Sequence, residues 1–539
     1  MGLEKAIPIP ILNLCRRTRH HQRHIPDPIS ASCPPYLKQS NHSLYCISCH
    51  HMPYVLRHQT ILYKTMIEYI DIPGFPGKAL KICSDLSFKT MSPIQFFSTN
   101  GHPQGVDFKA ALLMGQAPDK GLFMPEQIPT IPRKLIDEFP NMSYPEIARE
   151  VISPYLGHLV PDRDLREMLQ DAYNYEVPVE RAYDEKYVLR LDRGPTCSFK
   201  DFAARAMGRL IQYFLKQEGR SILILTATSG DTGSAVAHAF FGLDNVKVVV
   251  LFPEKEVTDR QRRQMTTLGS NIFPLAVEGK FDDCQALVKQ AFVDPELSQL
   301  NLSSANSINI GRLLPQAVYY FYARSRVAAP DQKVIFSVPS GNFGDLMGGL
   351  LAMKMGLPVK RFVVATNEND EFPRFMQTGL YEPIRPSKNC ISNAMNVGHP
   401  SNLARLFSLY GGQMDEIGRV NRQPDLSAMR QDLYAVSITD EETRRTIKEA
   451  FSQHKVLLEP HGAVAWAGLM KYLQRCGDWR GCISLETADP AKFPDEIVRA
   501  TGINPPLPPA MARLDELEES FEKMDGDYAS LKAFLRRFL

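Results

Sequence analysis

The stretch SILILTATSGDTG, residues 221–233, indicates the fold class of this chain. Residues 221–228 form a short run rich in Ile and Leu, and residues 229–233 form a loop of small and polar side chains. A helical pattern over residues 232–242 follows directly. A buried strand, a glycine-containing loop and a helix in this order are typical of open α/β sheets.

The same order repeats along the chain around this stretch. Helices are predicted over residues 108–114, 198–216, 258–268, 281–292, 309–324 and 341–355, and strands over residues 94–98, 246–252, 271–277, 333–338 and 361–366. This alternation predicts an α/β fold. Open sheets of this kind bind ligands beyond the carboxyl ends of their strands, so we expect the chemistry there.

A second loop, SGNFG at residues 340–344, also lies between a strand and a helix. Its small residues allow backbone N–H groups to close around a phosphate. The chain has no G-x-G-x-x-G and no G-x-x-x-x-G-K-[ST], so NAD and ATP are not favoured as the source of that phosphate. An ordinary helix cap is the alternative interpretation of each loop.

Lys200 begins a helix within GPTCSFKDF, residues 194–202. Its apolar neighbours can desolvate the side chain, and desolvation favours the neutral amine, which can form a Schiff base with an aldehyde. Taken alone the pattern is weak, because most lysines beside aromatic residues lay their stems on apolar surface.

Composition limits the class of protein. The 539 residues carry 62 Lys and Arg against 60 Asp and Glu, a net charge of +2 that does not favour nucleic-acid binding. With 44% hydrophobic and 9% aromatic residues, the chain has the composition of a globular protein. Its apolar runs fall short of the about 18 residues that a membrane helix needs. Scattered cysteines after residue 90 suggest reduced thiols in the cytoplasm.

Residues 1–90 differ from the rest of the chain. Basic side chains outnumber acidic ones there, and regular apolar periodicity is hard to find. Cys46 and Cys49 form a C-x-x-C beside His50 and His51, but no second pair at finger spacing follows. We therefore expect no metal site.

Several ordered segments resemble the threonine synthase family of the bacterial and fungal type, within the fold type II pyridoxal-phosphate enzymes. The resemblance runs from about residue 94 to the C-terminus. It is carried by SFKDF at 198–202, LTATSGDTG at 225–233, NSINIGRLLPQ at 306–316, VPSGNFGDL at 338–346, EPHGAVA at 459–465 and TADPAKF at 487–493.

The resemblance implies two open α/β lobes preceded by an N-terminal domain of the threonine synthase type. We expect an extension over residues 1–90, the N-terminal domain over 91–185, a first lobe with the Schiff-base lysine over 186–330 and a second lobe with the phosphate loop over 331–500. A Pro-rich linker and a terminal helix, packed as an appendage, are expected over 501–539.

The resemblance also implies pyridoxal 5'-phosphate as the cofactor. Lys200 would hold it covalently and later act as general base and acid. Gly341, Asn342, Phe343 and Gly344 would cradle its phosphate, and the hydroxyl of Thr487 would bond the pyridine nitrogen. A helix cap is the alternative interpretation of Thr487.

The implied reaction converts O-phospho-L-homoserine and water to L-threonine and phosphate. The substrate carboxylate would be received by a loop formed by Ser229, Gly230, Asp231 and Thr232. Within this loop the Asp231 anion would orient neighbouring groups. Candidates for the substrate phosphate are Arg312, Ser401, Asn402 and Arg405, each of which could equally be structural. Another fold type II lyase (a serine/threonine dehydratase or a phospho-lyase) and a non-catalytic homologue are the alternatives. We expect a cytoplasmic monomer or weak homo-oligomer that binds neither nucleic acid nor membrane.

Two features depart from the family pattern. Asp489 stands where the family commonly has His, which puts the pH optimum in question. Residues 1–90 have no counterpart in the family, and Met91 stands where a member would begin. We interpret this preface as an upstream-extended gene model, with a targeting segment as the second interpretation.

Overall fold

The computed structural model describes residues 94–477 and 479–539. The expected extension over residues 1–90, with its C-x-x-C, lies outside these residues. The N-terminal part of the described chain consists of β1 (Phe96–Ser98), α1 (Phe108–Met114), β2 (Phe123–Pro125), α2 (Arg133–Glu138), α3 (Tyr144–Leu156) and α4 (Asp162–Ala172). The strands β1 and β2 pair antiparallel, and the helices pack into the largest hydrophobic core of the molecule.

The next part of the chain alternates strands and helices, as predicted. Its elements are β3 (Val179–Tyr183), β4 (Lys186–Arg190), α5 (Lys200–Glu218), β5 (Ile222–Ala227), α6 (Asp231–Phe240), β6 (Val246–Pro253), α7 (Asp259–Thr266), β7 (Ile272–Val277), α8 (Phe281–Phe292), β8 (Leu302–Ser303), α9 (Ile310–Leu313) and α10 (Gln316–Val327). The single helix predicted over residues 309–324 is wrong. Two helices stand there because Pro315 has no N–H to continue the hydrogen-bond ladder.

The last part begins with β9 (Val334–Pro339), α11 (Gly344–Lys354), β10 (Val359–Thr366), α12 (Glu371–Thr378) and α13 (Leu403–Leu409). It continues through β11 (Gln413–Met414), β12 (Val420–Arg422), α14 (Leu426–Asp432), β13 (Leu433–Ser437), α15 (Asp440–His454) and α16 (Pro460–Cys476). It ends with β14 (Cys482–Glu486), α17 (Pro494–Thr501), β15 (Glu522–Met524) and α18 (Tyr528–Leu535).

Two sheets organise these elements. One has six strands in the order β13-β10-β9-β14-β4-β3, and the other has five in the order β15-β7-β6-β5-β8. Every pairing in the five-stranded sheet is parallel, and β3 pairs antiparallel with β4 at the edge of the other. The α/β class is therefore confirmed, whereas the expected segment boundaries stay predictions.

The six-stranded sheet brings three loops together. Its strand β14 lies between β9 and β4, with Ser484 opposite Ser337 on one side and Glu486 opposite Arg190 on the other. Parallel neighbours end at the same edge of a sheet, so the segments after Pro339, Glu486 and Arg190 meet there. The fold thus places the SGNFG loop beside Thr487.

None of the helices within residues 94–477 and 479–539 has the length and the apolar composition of a membrane span.

The C-terminal residues form part of the core and not the expected appendage. Strand β15 extends the five-stranded sheet at β7, where Glu522 pairs with Leu275 and Met524 with Val277. Helix α18 packs Leu531 and Leu535 into the apolar core beneath that sheet. No strand was expected at β15, because it is short and gains its pairing from the open edge of β7.

This packing predicts that Leu531→Ala lowers the free energy of unfolding by about 2–5 kcal/mol, because the fully buried side chain would leave a cavity. Urea denaturation measures the loss. The control is Leu507→Ala in the linker, where the side chain is 42% exposed. Equal stability of the two variants would mean that the C-terminus is an appendage after all.

Candidate active site

Lys200 is the first residue of helix α5, and the segment before it is fastened to the end of β14. The backbone N–H of Phe199 donates to the carbonyl of Thr487 at 2.9 Å, and the N–H of Asp489 donates to the carbonyl of Cys197 at 3.1 Å. A bridge between Ser198 and Ala488 lies between these bonds. Lys200 and Thr487, the residue predicted to contact the ring nitrogen, are therefore held in one rigid unit.

The amine of Lys200 lies in a buried and charged environment. Its Nζ is 3.4 Å from Oδ2 of Asp231 and 4.6 Å from the centre of the Phe199 ring. Burial lowers the pKa of this amine, and the nearby cations Lys492 and Arg312 lower it further, although Asp231 opposes them. The neutral, nucleophilic form of Lys200 is thereby favoured, as the sequence predicted.

Asp231 joins two amines across the site. Its Oδ1 accepts from Nζ of Lys492 at 3.0 Å and from Nε2 of Gln261 at 2.9 Å, while its Oδ2 faces Lys200. Burial raises the pKa of the Asp231 carboxyl, but Lys492 and Lys200 outweigh burial and hold that pKa well below its usual range. Asp231 stays ionised and orients its neighbours.

The sequence analysis missed the roles of Lys492 and Gln261. Both lie in or beside segments that it quoted or predicted, and both are fully buried. Lys492 stands 261 positions from Asp231, so sequence spacing carries no signal for this pair. One signal was available in the sequence. Lys492 stands among the apolar residues Pro490, Ala491 and Phe493, and such neighbours favour burial of the position.

The loop over residues 228–233 is shaped by its own hydroxyl group. Oγ1 of Thr228 accepts from the backbone N–H of Gly230 at 2.9 Å and from that of Gly233 at 2.7 Å. Gly230 has φ 132°, and a Cβ there would lie 2.4 Å from Cδ of Gln261, so only glycine fits. The side chains of Ser229 and Thr232 are partly exposed beside the start of α6. Their contact with a substrate carboxylate stays a prediction.

The SGNFG loop packs tightly on the segment at residues 394–395. A Cβ on Gly341 would lie 2.8 Å from the carbonyl oxygen of Ala394 and from Cα of Met395. Phe343, with φ 62°, turns the chain into α11. Within residues 94–477 and 479–539, no acceptor is found for the backbone N–H groups of Gly341, Asn342 and Phe343. The loop therefore has donors available for an anion.

The side chain of Asn342 holds neighbouring segments. Its Nδ2 donates to Oγ of Ser307 at 2.5 Å, and its Oδ1 accepts from the N–H and the hydroxyl of Ser401 at 2.7 and 2.9 Å. The Asn342 carbonyl also accepts from Nδ2 of Asn402 at 3.0 Å. The loop, Ser401 and Asn402 thus form one hydrogen-bonded group.

Arg312 and Arg405 are both buried but differ in their partners. Arg312 donates to the Ala305 carbonyl at 2.6 Å, and its Nε is a buried donor without a partner among the described residues. Burial lowers the pKa of Arg312 to about 10 and that of Arg405 to about 9. Arg405 donates to the carbonyls of Phe123, Ser307 and Ile308 and to the side chain of Asn402.

Thr487 and Asp489 follow β14. The hydroxyl of Thr487 donates to Oε1 of Glu459 at 3.3 Å. Asp489 caps a short helical turn by accepting from the N–H of Ala491 at 2.8 Å, and its Oδ2 lies 3.7 Å from NH1 of Arg193. Burial raises the pKa of the Asp489 carboxyl. The residue at position 489 is thus a capping carboxyl.

Comparison with known proteins places this arrangement in a family. Residues 180–485 match the model for pyridoxal-phosphate dependent enzymes, residues 95–173 match the threonine synthase N terminus, and residues 462–535 match the threonine synthase C-terminal region. The chain belongs to the threonine synthase family. The resemblance inferred from the quoted segments is confirmed.

Curated and solved threonine synthases agree with this assignment. The Serratia marcescens protein is 38% identical over 82% of this chain and 99% of its own length, and the Haemophilus influenzae protein is 40% identical over 80% and 98%. The threonine synthase structure from Brucella melitensis, described as bound to PLP, has a TM-score of 0.77 at 37% identity, covering 82% of this chain and 99% of that one. The yeast structure has a TM-score of 0.75 at 30% identity, covering 82% and 98%.

The side chains of this threonine synthase family member fit the family's cofactor. The available N–H groups of Gly341, Asn342 and Phe343 suit a phosphate, and the absence of a Cβ on Gly341 leaves the loop its tight turn. The buried amine of Lys200 suits an aldehyde, and Thr487 offers a hydroxyl at the adjacent strand end. Among the described residues, no group of three or more His, Cys, Asp or Glu is arranged to hold a metal ion.

We predict that Gly341→Ala weakens binding of pyridoxal phosphate. The new Cβ meets backbone that cannot give way, and such overpacking costs about 1–3 kcal/mol. This cost corresponds to a loss of affinity of roughly 5- to 150-fold in an absorbance titration. Gly105→Ala is the control, because a Cβ there meets ordinary contacts at 3.5 Å. Unchanged affinity in Gly341→Ala would contradict the cradle.

We also predict that Lys492→Met costs about 3–5 kcal/mol of stability, because it removes one partner of a fully buried pair. Lys471→Met is the matched control: that lysine pairs with Glu442 at 2.7 Å but is 35% exposed, and such pairs contribute about 0–1 kcal/mol. Both losses are measured by urea denaturation at the same cofactor concentration. Similar losses in the two variants would show that the Asp231 pair is energetically ordinary.

Proposed function

We propose that this chain converts O-phospho-L-homoserine and water to L-threonine and inorganic phosphate. The observation that carries the proposal is the buried Lys200 amine, 3.4 Å from Asp231, on a helix fastened to the strand end that bears Thr487. Membership of the threonine synthase family supports the same reaction.

The residues that would hold the cofactor are Lys200 and the loop over residues 340–344. Lys200 would carry pyridoxal phosphate through its amine, the N–H groups of Gly341, Asn342, Phe343 and Gly344 would bind the phosphate, and Thr487 would face the ring nitrogen. When bound, pyridoxal phosphate withdraws electrons from the substrate and so makes its α- and β-protons removable.

Lys200 would move protons once the substrate has displaced it. Burial favours the neutral form of its Nζ, so the freed amine can accept the α-proton and later return it. Asp231 lies within reach of the same amine and would stabilise the ammonium formed on it. Lys492, fixed on the other oxygen of Asp231, would hold that carboxylate in place.

The substrate would be held at its two anionic ends. Ser229 and Thr232, at the start of α6, would donate to the α-carboxylate, with Gly230 allowing its close approach and Asp231 orienting the loop. For the phosphate we retain Arg312, Ser401, Asn402 and Arg405. Nε of Arg312 has no partner in the part of the chain that the structure describes, which favours direct contact with the phosphate. The bonds of Arg405 to Ser307, Ile308 and Asn402 favour support of the loop beside the SGNFG segment.

The setting of the reaction completes the proposal. We retain a cytoplasmic enzyme that acts on a small molecule without nucleic acid or membrane, as a monomer or weak homo-oligomer. The nearly balanced net charge of +2 agrees with a small-molecule enzyme.

The test is incubation with O-phospho-L-homoserine, with threonine and phosphate measured together. We expect equal amounts of both products, and Lys200→Ala should lower the rate by roughly 10²–10⁴-fold or more, because the general base and cofactor attachment are lost. Lys216→Ala on the same helix is the control, since that side chain is 55% exposed and pairs with Asp244 at the surface.

Other outcomes separate the alternatives. Phosphate released without threonine would favour a phospho-lyase, and ammonia released from serine or threonine would favour a dehydratase. A protein that binds pyridoxal phosphate at Lys200 but forms no product would be a non-catalytic homologue.

A further inference from the structure

Behind Thr487 lies a buried carboxylate that the proposed reaction does not use. Glu459 caps helix α16, and its side chain is fully buried. Its Oε1 accepts from the N–H of Gly462 at 2.9 Å and from the hydroxyl of Thr487 at 3.3 Å. Its Oε2 accepts from the N–H of His461 at 2.7 Å. The two backbone N–H groups can only donate, so each carboxyl oxygen of Glu459 acts as an acceptor.

The hydrogen bonds of His461 show which of its ring nitrogens carries the proton. Its Nε2 lies 3.1 Å from the backbone nitrogen of Ala394, which can only donate, so Nε2 is the acceptor of the ring. The ring proton therefore lies on Nδ1, which is 2.5 Å from Oε2 of Glu459 and donates to it. Oε2 of Glu459 therefore accepts a hydrogen bond from the His461 ring, and this contact requires no proton on the carboxyl group.

A second buried acid lies beside Glu459. Glu486, whose Oε1 accepts from the N–H of Glu459 at 2.7 Å, is buried beside it. Burial and the Glu459 carboxylate raise the pKa of Glu486 well above its ordinary value, which favours its neutral form. Arg190, held by Asp192, is the cation facing this pair, and Asp489 lies farther along the same loop. Glu459 is thus the member of the pair that accepts from Gly462, His461 and Thr487.

We propose that Glu459 is a positioning residue that fixes the direction of the Thr487 hydroxyl, so that Thr487 accepts a hydrogen bond from a protonated pyridine nitrogen of the cofactor. The proposal rests on the proposed function, because it needs Thr487 to face the ring nitrogen. The single hydroxyl hydrogen of Thr487 is committed to Glu459, which leaves only oxygen lone pairs for the ring. A nitrogen that meets an acceptor is stabilised in its N–H form.

This arrangement changes what a threonine at this position does. A hydroxyl donating to the ring would stabilise the unprotonated nitrogen, and a hydroxyl turned toward Glu459 stabilises the protonated one. A protonated ring withdraws electrons more strongly from the substrate carbons. The Glu459 carboxylate would thus act on the ring nitrogen through the Thr487 hydroxyl, which lies between them.

The test uses the full-length holoenzyme loaded with pyridoxal phosphate labelled with ¹⁵N in the ring. The ¹⁵N chemical shift distinguishes a protonated from an unprotonated pyridine nitrogen. We expect the protonated position in the unaltered enzyme and in Thr487→Ser. In Glu459→Gln the amide can donate to Thr487 and reverse its hydroxyl, and in Thr487→Val no acceptor remains. Both variants should shift the signal to the unprotonated position.

Controls separate this proposal from the proposed function. Thr443→Val removes another buried threonine hydroxyl, in α15, and should leave the ¹⁵N shift unchanged. If Glu459→Gln fails to fold because the cap of α16 is lost, Thr487→Val and Thr487→Ser still decide the matter. An unprotonated nitrogen in the unaltered enzyme, or a protonated one in either Glu459→Gln or Thr487→Val, overturns the proposal. Borohydride reduction that leaves no label on Lys200 would instead refute the proposed function.

Discussion

The carboxylate of Asp231, shared by two buried amines, is the interaction on which the site depends. Lys200 comes from the start of α5, and Lys492 from the turn after β14, so Asp231 at the start of α6 connects the five-stranded sheet with the six-stranded one. Without this anion two ammonium groups would face each other in a medium of low dielectric constant, where the desolvation cost of each is several kcal/mol. With it, Lys492 keeps its charge, while burial and the neighbouring cations still lower the pKa of Lys200 against the opposing effect of Asp231.

The sheet topology explains why these groups can meet. In the six-stranded sheet, β14 separates β9 from β4, and the chain after each strand turns over the same edge. The bond from Phe199 to the Thr487 carbonyl then ties Lys200 to that edge. Since the reacting groups stand on strand ends and helix starts, their spacing is set by the backbone ladders and not by flexible side chains.

The sequence predicted the parts of the site that depend on local pattern. The strand and loop over residues 221–233, the glycine turn at 340–344 and the desolvated Lys200 each have a signal within about ten residues, and the structure has the corresponding elements. The partners of Asp231 had no such signal, because Lys492 and Gln261 reach it only through the tertiary fold. Strand β15 was missed for the same reason, whereas the break before Gln316 could have been predicted from Pro315.

Charge is distributed unevenly around the site, and the distribution matches the chemistry proposed for it. Lys200, Lys492 and Arg312 act on one another electrostatically, on the side where the two anionic ends of a substrate would lie. The acids Glu459, Glu486 and Asp489 gather around Thr487, at the end of β14. The side proposed to bind the substrate thus carries cations, and Thr487, proposed to face the ring nitrogen, is bonded to the Glu459 carboxyl. Electron density would then be drawn from the substrate toward the ring, because a nearby anion favours a proton on the nitrogen.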